Sequence, residues 1–176
     1  VLIIGIDPGL DGAIAAIDTH GSFITVFDVP TFTLQGNKGK KKRTLDLRGT
    51  FEILEGLADG KNCTAYIELV HSMPKQGVRS MFTLGETFGA LKMALAALKI
   101  PFEEITPQRW KKVMLHGMPK DKDASRYKAQ QLFPSAPLTR KKDHNRADAL
   151  LIARYGLKMF HKYNFTASEE SLPEPQ

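Results

Sequence analysis

Apolar residues come in short runs over the first third of the chain and at helical spacing after it, and this change of period lays out the elements. Val1 to Ile6 is an apolar run closed by Asp7-Pro8-Gly9, and Ala13 to Ile17 is a second. Pro8, Gly9 and Gly12 between them suit a tight reversal, so the pair predicts a hairpin. Phe23 to Val29, reached through Thr19-His20-Gly21-Ser22, extends it to a three-strand meander that ends before Pro30. Leu34 to Arg43 (LQGNKGKKKR) has no apolar period and is expected to be a mobile loop. From Asp46 to Ala58, Leu47, Phe51, Leu54 and Leu57 recur at helical intervals, which predicts an amphipathic helix stopping near Gly60.

The second half alternates strand and helix. Thr64 to Val70 reads as a fourth strand with Glu68 inside it, and a long helix follows from about Phe82 to Leu98. Ile100 to Ile105 reads as a fifth strand. Thr106-Pro107 then opens a short helix carrying Arg109, Trp110, Lys111 and Lys112. Another helix runs through Leu132 and stops at Pro134. The last begins after the basic cluster Arg140 to Lys142 and buries a face of Ala147, Leu150, Leu151 and Ala153 to Leu157. The chain thus divides into one domain over 1–163 and a polar, acidic, proline-bearing tail over 164–176 that is expected to be disordered.

Composition narrows the class. The 176 residues, 42% of them hydrophobic, suffice for one domain with a proper core. Lys and Arg outnumber Asp and Glu by 25 to 19, a net charge of +6, which favours a polyanionic partner. The single cysteine, Cys63, excludes an intrachain disulfide and a cysteine-based zinc site. The longest apolar helical run, Gly89 to Leu98, is too short to span a bilayer and is broken by Lys92, so the expectation is a cytoplasmic chain, or else an organellar mature form, with no membrane partner.

Several charged residues fall where a purely structural role is only one of two readings. Asp7 ends a buried strand; it either caps the glycine-rich turn or offers a metal ligand at the sheet's mouth. Glu68 lies in apolar surroundings, so it either points to solvent or has a cation or hydrogen-bond partner, which makes it a second candidate ligand. Asp143 suits the N-cap of the last helix. Asp148 follows His144 by four residues, which puts both on one helix face. Lys40, Lys41, Lys42 and Arg43 either solvate their loop or meet phosphates.

The element order fits a mixed sheet with helices on its faces, with acids on the first strand, the fourth strand and the final helix. That layout, with GIDPG at Gly5 to Gly9, YIEL around Glu68 and ADAL at Ala147 to Leu150, resembles the RuvC family of Holliday-junction resolvases. FPS at Phe133 to Ser135 and RKKDHNRADALLIARYG at Arg140 to Gly156 are similar to the branch that holds the plant chloroplast junction resolvase and phage or prophage relatives.

The resemblance implies an α/β, ribonuclease H-like fold with a mixed five-stranded sheet and helices on both faces. It implies a homodimeric endonuclease that resolves four-way DNA junctions by paired, metal-dependent nicks. Its cofactor would be Mg2+, or Mn2+, with two ions per site held by Asp7, Glu68 and Asp148. A further ligand stands three residues before the last Asp in the family, but Asn145 occupies that position here; Asp143 or His144 would take the part, unless Asp143 only caps the helix and His144 contacts a phosphate. Lys111 corresponds to a family lysine beside the scissile phosphate, with Lys112 or Lys120 as substitutes. Trp110 reads as core rather than a base-stacking surface. Met73, Pro74, Lys75, Gln76, Arg79 and Phe82 fall where the family meets the crossover, and Lys141 and Lys142 complete the expected DNA-facing set. The helix with Gly85 and Gly89 is the expected dimer interface, unless that stripe packs on the chain's own sheet. A nuclease for other branched DNA or RNA, and a non-catalytic junction binder, are the alternatives. An actin-type ATP-binding domain would need a longer chain with further phosphate loops.

Overall fold

The computed structural model describes residues 1–35, 40–71, 77–121 and 123–169. Its centre is a five-stranded sheet in the order β3-β2-β1-β6-β7, built from β1 (Leu2–Asp7), β2 (Ala13–Asp18), β3 (Phe23–Asp28), β6 (Cys63–Glu68) and β7 (Phe102–Ile105). The meander β1-β2-β3 is antiparallel; β6 and β7 run parallel to β1. The mixed sheet expected from the sequence is therefore present.

Period-two alternation on β1 divides the core between two layers. Leu2, Ile4 and Ile6 face a cluster with Leu54 and Leu57 of α1 (Leu47–Ala58) and Leu91 and Leu95 of α2 (Val78–Ala97). Ile3 faces the opposite layer. There it meets Trp110 of α3 (Pro107–Met114), Ala129 of α4 (Ala124–Leu132) and Leu150 and Leu151 of α5 (His144–Glu169). Helix α1 starts where expected because the Asp46 carboxylate accepts the Gly49 N–H at 2.9 Å, and Thr106 caps α3 in the same way. Helix α2 starts four residues before the expected Phe82. Helix α5 continues to Glu169, past the point where the tail was placed; the remaining tail residues lie outside those described.

A glycine fixes how α5 meets the sheet. A Cβ on Gly5 of β1 would stand 2.1 Å from the Ala149 carbonyl oxygen and 2.3 Å from the Ala153 nitrogen, so the helix backbone lies directly on the strand. This contact places Asp148 at the end of β1.

The expected loop over Leu34 to Arg43 needs correction. β4 (Thr31–Gln35) and β5 (Lys41–Leu45) pair antiparallel as a separate ribbon, from Thr31 opposite Leu45 to Gln35 opposite Lys41. Both faces of most of this ribbon meet water, so it lacks the alternation that would have marked it as strand. A two-stranded ribbon is marginal alone. This one is tied down at its base, where the Asp46 N–H donates to the Pro30 carbonyl at 2.9 Å and Arg43 donates to the Leu10 carbonyl.

Candidate active site

Three carboxylates from distant parts of the chain meet where β1 and β6 end. Asp7 closes β1, Glu68 closes the adjacent parallel β6, and Asp148 lies on the first turns of α5, which Gly5 draws onto β1. The turn after Asp7 is tight: a Cβ on Gly12 would stand 2.0 Å from the Asp7 carbonyl oxygen.

Their ionisation shows that they act on one another. Burial pushes the Asp7 carboxyl well above the ordinary range; the charges of Asp148 and Glu68 add to this, and the Lys111 ammonium opposes it. Glu68 is raised first by burial and then by Asp148, against a Trp110 hydrogen bond and Lys111. Asp148 is also raised by burial, against a Ser125 hydroxyl and the nearby charges of Lys111 and His144. Lys111 is thus the cation common to all three.

Trp110 is fully buried, as its apolar spacing implied, but it also belongs to the site. Its indole N–H donates to Glu68 Oε2 at 2.6 Å, and Lys111 Nζ lies 5.1 Å from the centre of the indole ring. A buried indole N–H needs an acceptor, and the only sequence signal for this partnership was an acid in a strand otherwise without one.

Asp148 Oδ1 is buried without a hydrogen-bond partner. An uncompensated carboxylate oxygen of this kind is costly unless a cation meets it. Among the described residues no three acidic, histidine or cysteine side chains are gathered tightly enough to enclose an ion, so the group is open. Oxygen donors, three negative charges and one unpaired buried oxygen nonetheless fit a hard divalent cation.

The other expected ligands are arranged differently. Asp143 is buried in a 3-10 turn (Lys141–Asp143) that leads directly into α5, its carboxylate closes a capping box with Arg140, and both of its oxygens are occupied. Oδ2 accepts the Arg140 N–H at 2.7 Å, and Oδ1 accepts from the Arg140 guanidinium at 2.6 and 2.9 Å. Burial alone would raise its pKa; these bonds and the Arg140 charge hold it below the usual range. In this structure the Asp143 carboxylate is thus engaged by Arg140 through both oxygens. His144 is exposed and electrostatically linked to Asp148. Asn145 turns its amide to the Asp11 carbonyl and so ties α5 to the β1–β2 turn.

Neighbouring pairs that the sequence did not reveal fix the start of α5. Arg146 holds Asp28 through two hydrogen bonds, one of 2.7 Å, and these depress the Asp28 pKa. The expected cations Lys40, Lys41, Lys42, Arg43, Arg79, Lys112, Lys120, Lys141 and Lys142 are all exposed. Lys75 and Gln76, with Met73 and Pro74, lie outside the described residues.

The fold is of the ribonuclease H-like class, with RuvC among its solved examples. Thermus thermophilus RuvC bound to a Holliday junction substrate matches with a TM-score of 0.61, covering 90% of this chain and 96% of that one at 13% identity. A second Thermus thermophilus RuvC structure matches at 0.53, over 91% and 97% of the two chains, at 18% identity. The yeast mitochondrial Holliday junction resolvase Ydc2 gives 0.49 at 14% identity, over 94% and 82%. No family model and no curated protein sequence matches the chain.

Proposed function

We propose that the chain is a metal-dependent endonuclease for four-way DNA junctions. The observation that carries this reading is the coupled trio Asp7, Glu68 and Asp148 with Lys111 beside it, on a fold of which RuvC is an example. Asp7, Glu68 and Asp148 would hold divalent ions, magnesium or manganese, with His144, whose charge acts on Asp148, as a further donor. Bound there, such ions supply an activated water and a counter-charge for the leaving oxygen.

The chain's own residues account for the rest. Trp110 fixes one Glu68 oxygen, which leaves the other to face the site. Ser125 and the burial of Oδ1 orient Asp148. Lys111, held over the Trp110 ring, presents a fixed ammonium to the negative charge that gathers on a phosphorane-like transition state. The basic surface around the site would seat the backbone. Paired nicks in a near-two-fold junction need two such sites, hence a homodimer. Helix α2 supports this: Val78, Phe82 and Met93 are exposed on one face with Gly85 and Gly89, whose Cβ positions meet nothing. Its buried residues, Thr87, Leu91 and Leu95, are elsewhere, so the glycine face is not used on the chain's own sheet.

The test is cleavage of a mobile four-way junction, a flap, a duplex and an RNA hairpin, each with magnesium and with chelator. Paired cuts in the junction alone are expected. Equal cleavage of all four would point to a general nuclease, and binding without cutting under any metal would point to a junction-binding protein.

A further inference from the structure

The β1–β2 turn is a ridge between two basic grooves. On its α2 side, Gly9, Leu10 and Asp11 share a groove with Lys41, Lys42, Arg43 and Arg79. On its α5 side, Leu10 and Asp11 share another with Arg43, Arg140, Lys142 and His144. The ridge is held from both flanks: Arg43 binds the Leu10 carbonyl and, at 2.7 Å, the Asp11 carboxylate, while Asn145 binds the Asp11 carbonyl. The first groove carries four cations against the one carboxylate of Asp11, and Lys41, Lys42 and Arg79 have no ion-pair partner among the described residues. The second is closer to balance, since Asp28 lines it too, but Lys142 is likewise unpaired there.

The side chain on the crest decides what the two grooves can hold. Asp11 is 79% exposed even though Arg43 pairs with one of its oxygens, so a single phosphate backbone passing from one groove to the other would still cross a carboxylate oxygen. Like charges in contact disfavour that path, whereas a backbone confined to either groove meets mainly cations. Asp7 stands at the foot of the same turn, four residues before Asp11. We propose that the Leu10–Asp11 ridge parts two nucleic-acid backbones, one lying in the Arg140–Lys142 groove and the other in the Lys42–Arg79 groove beside the β4–β5 ribbon. The inference rests on the nuclease reading above and deepens it. A linear duplex engages only one groove, whereas strands that diverge at a branch engage both, so the ridge is what selects branched DNA.

Binding is measured on an Asp7→Asn background, so that it is read without cutting, using a fixed four-way junction and a duplex of one arm's sequence over a range of salt. The double variant Lys42→Gln/Arg79→Gln is expected to weaken junction and duplex binding alike, about tenfold at roughly threefold per lost phosphate contact, because a duplex takes the groove with the larger excess of cations. The salt slope should fall by about 2, one for each contact. Lys142→Gln should weaken junction binding about threefold and leave duplex binding unchanged. Lys42→Arg/Arg79→Lys, which keeps both charges, should bind as the parent does. Equal loss on junction and duplex from Lys142→Gln, or no loss on either from Lys142→Gln or from the Lys42/Arg79 pair while the unmodified chain still cuts junctions, overturns the ridge. A parent protein that binds junction and duplex alike overturns the ridge as well, whereas an unmodified chain that cuts no substrate under any metal overturns the nuclease reading instead.

Discussion

At the scale of single residues, the site is held in an electrostatically unfavourable state that a cation would relieve. Asp7, Glu68 and Asp148 all have raised pKa values, so the folded chain binds protons that the unfolded chain releases. Without metal, their contribution makes stability fall as pH rises above about 4, the unfolded carboxylate value. Asp7→Asn removes the largest part of this cost. Metal-free Asp7→Asn should therefore melt higher than the parent at neutral pH, by about 1 kcal/mol, with the gap closing towards pH 4, as calorimetry at several pH values would show. The same variant should lose more than about a hundredfold in magnesium-dependent cutting, since even residues that only support metal ligands cost 10- to 100-fold. Lys111→Ala should lower kcat by about 10²- to 10³-fold with little change in junction affinity, as single-turnover rates at saturating enzyme would show. Asp143→Asn should act on stability before activity, because its carboxylate is spent on Arg140.

At the scale of elements, close contact between β1 and α5 decides whether Asp148 reaches Asp7. Gly5→Ala would drive a methyl into the α5 backbone and should destabilise the chain by about 3 kcal/mol, measured by urea denaturation, with metal-dependent activity falling in the fraction that remains folded. The main sheet was legible because its central strands β1 and β2 are buried on both faces and read as apolar runs; β1 shows this plainly with LIIGI. The β4–β5 ribbon was not. KKRTL opposite TFTLQ offers neither an apolar run nor a buried alternating face, and its pairing depends on an arginine reaching back to Leu10 and Asp11. Asp7, Glu68 and Asp148 each interrupt an apolar pattern, so they could be singled out. The partnership of Asp143 with Arg140 was not legible, because it forms across a 3-10 turn that no periodicity announces.

At the scale of the whole molecule, charge and apolar surface are separated. The basic grooves flank the β1–β2 turn, while Val78, Phe82 and Met93 form an apolar face along α2. Among the described residues no helix is long and apolar enough to cross a membrane, so that face is not a membrane span. Met93→Glu should convert a dimer into a monomer in light scattering, and it should turn paired nicks in a junction into single ones while leaving each metal site intact.

The β1–α5 contact also has a consequence for the chain as it is being made. Asp7 and Glu68 leave the ribosome early, but the third carboxylate is supplied by a helix that begins only at His144. Until that helix has emerged and settled against Gly5, the nascent chain lacks the third carboxylate. On the nuclease reading proposed above, synthesis from N- to C-terminus would act as a safety catch: the growing polypeptide could touch nucleic acid before it was able to damage it.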